Sequence, residues 1–68
     1  MIRKLIEEYI ESEWNHHSDG TYDLVITDVP GCASFIEHVI LSSNEKDLES
    51  HIRDSSVDRL IGYWFRKS

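Results

Sequence analysis

Apolar positions in the first fourteen residues recur at spacings of three and four. Ile2, Leu5, Ile6, Tyr9, Ile10 and Trp14 fall on one stripe, which predicts an amphipathic helix over residues 2–14. Arg3–Glu7 and Lys4–Glu8 stand four apart on the other side. The polar run from Asn15 to Gly20 ends the element.

The period then changes. Over residues 21–28, Tyr22, Leu24 and Ile26 alternate with Asp23, Val25 and Thr27, the pattern of a strand. Asp28-Val29-Pro30-Gly31 reads as a turn, with Pro fixing one φ and Gly free to take a positive one. Two periods compete over residues 33–41. Phe35, Val39 and Leu41 alternate with Ile36, His38 and Ile40, while Cys32, Phe35, Ile36, Val39 and Ile40 also fit a helical stripe. The preceding turn and the Val, Ile and Phe content favour a strand, paired in a hairpin with residues 21–28.

Residues 44–54 predict a short helix with Leu48 and Ile52 facing inward. Ser42 with Glu45, or Asn44 with Asp47, has the spacing of a capping box. In residues 57–66 the helical template is met by Val57, Leu60, Ile61, Trp64 and Phe65. Gly62 in the interior and the β-forming run around it favour a third strand, which would also support a marginal hairpin. The expected fold is therefore α+β: one small globular domain over residues 1–68, in the order α-β-β-α-β, with an antiparallel sheet of two or three strands and helices on one face. The close alternative is α-β-β-α-α.

Charge narrows the roles. The net charge is −6, and residues 1–28 hold seven acids against Arg3 and Lys4. Nucleic acid and anionic membranes recruit Lys and Arg, so both are disfavoured as partners. No apolar run nears the roughly 20 residues of a membrane span, and the glutamates of residues 1–14 break any signal-peptide core. The expected location is cytoplasmic.

Candidate chemistry is sparse. Cys32 is the only cysteine, which rules out an internal disulfide and a multi-cysteine zinc set. His16, His17, His38 and His51 have no metal-ligand spacing, so no metal or cofactor is expected. A nucleophilic triad of Cys32, His38 and Asp28 is conceivable, but a free Cys is more often a small buried apolar residue. The expectation is a chain without catalytic activity. The aromatic residues read as packing for a small core, with Arg59, Arg66 and Lys67 beside the last three.

Two surfaces remain as binding candidates. The first is an acidic face of Glu7, Glu8, Glu11, Asp19, Asp23 and Asp28. Glu7 and Glu11 repel at i,i+4, and the acids lie beyond Arg3 and Lys4, against the preference of the helix dipole. Helix stability therefore does not explain their order, and a basic protein surface would. The second is a sheet face of Val25, Val39, Ile61 and Tyr63, left bare by helices on the other side. In size, acidity and lack of a catalytic motif the chain resembles small inhibitors encoded by phages and mobile elements. That resemblance implies a modulator that binds a host protein, in its sharpest form with carboxylates occupying a nucleic-acid-binding surface. The alternatives are a homodimeric structural module and a nucleic-acid-associated accessory domain.

Overall fold

The computed structural model describes residues 2–16 and 25–67. Every regular element among them is helical. α1 spans Ile2–Tyr9 and runs without a break into a π-helical segment, Ile10–Asn15. α2 spans Val29–Leu41, α3 Leu48–Arg53 and α4 Ser56–Lys67.

The first helix forms where the periodicity places it, and its end explains itself. Ile6, Ile10 and Trp14 recur every four residues. On an α-helix of 3.6 residues per turn such a series drifts by about 40° per step. The wider π turn takes up that drift. Ser12 adds to it, since its hydroxyl donates to the Glu8 carbonyl at 2.7 Å and so competes for the α-helical acceptor.

The expected sheet does not form. Residues 21–24 of the first expected strand lie outside the described residues. Val25–Asp28 is irregular chain leading into α2. Ile26 is buried there, and a side chain takes the place of a neighbouring strand. The Ile26 N–H donates to Asn15 Oδ1 at 2.9 Å, and Asn15 Nδ2 donates to the Ile26 carbonyl at 3.1 Å. One amide thus satisfies both backbone groups of a buried residue.

The second expected strand is α2. Asp28 is its N-cap, not a turn residue: the carboxylate accepts the Gly31 N–H at 3.1 Å, and the Asp28 carbonyl accepts the Cys32 N–H at 3.0 Å. Pro30 lies in the first turn, where its missing N–H costs no helical bond. A Cβ on Gly31 would collide with the Asp28 carboxylate, so the absent side chain makes room for the cap. Cys32, Ala33, Ile36 and Ile40 then fall on one buried face.

The third expected strand is α4, the helical alternative for this segment. Val57 and Ile61 are fully buried, and Leu60, Trp64 and Phe65 pack against them. Gly62 is tolerated at an open position, where an added Cβ would meet nothing within 4 Å. Ser55 turns the chain between α3 and α4 in the left-handed region at φ 68°, and the Asp54 carboxylate accepts the Ser56 N–H at 2.9 Å. The Ser56 side chain, and then its backbone N–H, hold the Asp54 carboxyl below its ordinary range by hydrogen bonding.

α3 starts later than expected because residues 43–47 build a turn of their own. The Ser43 hydroxyl lies within reach of the Ile40 and Glu45 carbonyls, and Lys46 Nζ donates to the Ser43 carbonyl at 2.8 Å. α2 is the centre of the fold, packed against both α1 and α4, while α3 packs on α4. The core is Ile6, Ile10, Ile26, Cys32, Ala33, Ile36, Ile40, Val57 and Ile61. The radius of gyration, 11.2 Å, matches the roughly 11 Å of a folded chain this long.

Candidate functional site

The apolar stripe of α1 is wider than the core needs. Ile6 and Ile10 disappear into it, but Leu5 remains 53 % exposed. Leu5, Glu8, Tyr9, Ser12 and Glu13 repeat at helical spacing and form one wall of an open hollow. Asp47, just before α3, and Leu48, Glu49 and Ile52 of α3 form the other. The hollow encloses about 770 Å³. Its surface is mostly apolar, and among the described residues every charged one that lines it is acidic: Glu8, Glu13, Asp47 and Glu49.

Tyr9 ties this hollow to the rest of the fold. Its hydroxyl donates to Asp58 Oδ1 of α4 at 2.7 Å. Burial, reinforced by the Asp58 hydrogen bond and charge and then by Glu13, pushes the Tyr9 phenol up to about 12. The ring is therefore a fixed, neutral part of the wall at neutral pH.

The expected acidic face is divided. Glu8 lines the hollow toward α3. Glu7 lines a separate depression of about 530 Å³ with Arg3, Lys4 and Glu37, where the charges are mixed. Glu11 is exposed, and Asp28 caps α2. Asp19 and Asp23 lie outside the described residues. The acids of α3 were hidden from sequence reasoning because residues 29–68 are nearly balanced in charge. The signal that could have found them was positional: Asp47 and Glu49 flank Leu48 at one helix start.

The expected sheet face has no sheet to align it. Val39 lies on α2, Ile61 and Tyr63 lie on α4, and Val25 lies in the irregular segment. Ile61 is wholly buried in the core. Tyr63 is half-exposed and stacks on Phe35, with ring centroids 5.9 Å apart. Trp64 sits 5.7 Å from the same ring. Lys67 Nζ lies 5.8 Å above the Tyr63 ring.

Cys32 is fully buried, whereas His38, on the same helix, is exposed. The triad of Cys32, His38 and Asp28 is therefore not assembled. Burial, with the nearby Asp28 charge, pushes the Cys32 thiol up to about 11, so at neutral pH it packs as an apolar residue. Among the described residues no three His, Cys, Asp or Glu side chains gather as a metal site. No described helix is long and apolar enough to cross a membrane. Comparison with family models, curated proteins and solved structures gives no match.

Proposed function

We propose that the chain is a small protein-binding module that modulates another protein by occupying part of its surface. The observation that carries this reading is the hollow between α1 and α3. An apolar floor left open in so small a protein forgoes burial that would stabilise it, and a ring of like charge adds repulsion. Both costs are recovered when a complementary surface covers the floor and pairs the acids. Carboxylates steer a basic partner toward the site and make the association salt-sensitive. The reading places the protein in the cytoplasm and requires no chemistry from its own side chains.

Affinity capture from the source cells at low and high salt, followed by titration with the purified partner, tests it. One protein is expected, bound saturably and more weakly at high salt. Recovery of self-associated chain alone, with no second protein at either salt, would overturn the reading.

A further inference from the structure

The α1–α3 hollow has a shape and charge that select among partners. We infer that its occupant is a basic amphipathic helix of another protein, laid along α1 with its apolar stripe on Leu5, Tyr9, Leu48 and Ile52. This rests on the reading of the chain as a protein-binding module and names the chemistry of what it holds.

Of three common modes of peptide recognition, the hollow suits one. Strand addition requires an exposed sheet edge, and no described residue belongs to a strand. Polyproline recognition uses a groove lined by several aromatic rings, and among the described residues Tyr9 is the single ring in this lining. The third mode, a helix in a groove, requires an elongated apolar floor between helices. Leu5 and Tyr9, one turn apart, provide the apolar part of one flank, and Leu48 and Ile52 provide that of the other.

Charge sets the second condition. Glu8 and Glu13 stand on the α1 side, Asp47 and Glu49 on the α3 side, and among the described residues no Lys or Arg lines the hollow. A guest helix therefore meets carboxylates on both sides of its apolar stripe. Lys or Arg flanking that stripe on both sides complements them, while an acidic helix of the same apolarity is repelled. The neighbouring depression carries Arg3 and Lys4 beside Glu7 and Glu37, so the same selection does not operate there.

Two synthetic helical peptides test this. Both carry leucines at i, i+3, i+4 and i+7, one flanked by lysines and the other by glutamates. Each is titrated into the ¹⁵N-labelled full chain and followed by amide shifts. The lysine peptide is expected to bind saturably, shift the amides of Leu5, Tyr9, Leu48 and Ile52, and weaken as salt rises. Glu49→Lys combined with Glu8→Lys, both at exposed positions, is expected to lower its affinity by roughly tenfold or more while the remaining spectrum keeps its dispersion. Absence of saturable shifts in the hollow, equal binding of the glutamate peptide, or shifts centred on Tyr63 would overturn the inference. So would a dimer of the chain that the double variant dissociates, because the occupant would then be a second copy. If a captured cellular partner still binds the double variant at full strength, the helix inference fails and the protein-binding reading stands.

Discussion

Ile36 and Leu5 are both aliphatic, both helical and equally hydrophobic, yet one is completely buried and the other half in water. Around Ile36 the helices α1, α2 and α4 close over a core made almost wholly of Ile and Val. Around Leu5 the facing helix, α3, is only six residues long and stands across an open hollow. The first region shows what the fold does with apolar surface when stability alone decides. The second shows apolar surface kept available, rimmed by charge that a stability criterion would not place there. The difference separates residues that hold the molecule together from residues that serve a partner.

The sharpest way to break that comparison is in the core. Ile36→Ala should destabilise the chain by about 2–5 kcal/mol in urea unfolding, through lost transfer energy and the cavity left behind. That approaches the whole stability expected of a domain this small. A loss within about 0.5 kcal/mol would show that the core is not closed around this residue.

Asn15→Ala comes next. It strands the N–H and carbonyl of buried Ile26 and should cost about 1–3 kcal/mol. Amide exchange at Ile26 should accelerate more than at Ile40. Equal acceleration everywhere would mean that the Asn15 amide does not hold this segment in place.

Tyr9 belongs to both regions. Tyr9→Phe keeps the ring in the wall of the hollow but removes the bond to Asp58, for a loss of roughly 1.5 kcal/mol at neutral pH. The pH dependence carries a sign. The phenol ionises at about 12 in the folded chain against its ordinary 10.0, so the unfolded state loses its proton first. Its contribution is complete below pH 10 and disappears as pH rises toward 12. Cys32, raised from 9.0 to about 11, has the same sign one unit lower. Stability of the wild type should therefore fall from about pH 9 upward, and Tyr9→Phe should flatten the part between pH 10 and 12. An unchanged alkaline slope would contradict the burial of the Tyr9 phenol beside Asp58.

The smallest effect is a gain. Gly62→Ala adds a Cβ into open space inside α4 and should stabilise by about 0.5–1 kcal/mol. A loss would argue that α4 is not helical at this position.

The first helix and the short third helix were legible from spacing alone. The second and fourth helices were read as strands, with Ile61 on a bare sheet face, although Val57, Leu60, Ile61, Trp64 and Phe65 fit the helical template and Ile61 is buried. Val, Ile and Phe favour strands only as a weak prior, and burial of a helical stripe overrides it. The decisive local signals were present but ambiguous. Asp28-Val29-Pro30 is as good a helix start as a turn, and Gly62 forbids nothing at an open helical position. The alternation in residues 21–28 carries one firm fact, the burial of Ile26, but no period can reveal that the Asn15 amide would serve as its partner. The site was half legible. Glu8 came from the acidic bias of the first helix, whereas Leu5 was read as one more member of the core-facing stripe, and only the structure shows it left half in water. Asp47 and Glu49 reach the same hollow only through the packing of α3 on α4.

Leu5→Lys provides the most direct test of the division between core and binding surface. Its unfolding free energy and its affinity for the lysine-flanked helical peptide should be measured on the same preparation. Stability should stay within about 0.5 kcal/mol of wild type, because the residue is half in water, while affinity should fall by roughly tenfold or more. A large loss of stability with affinity retained would place Leu5 in the core and contradict the account.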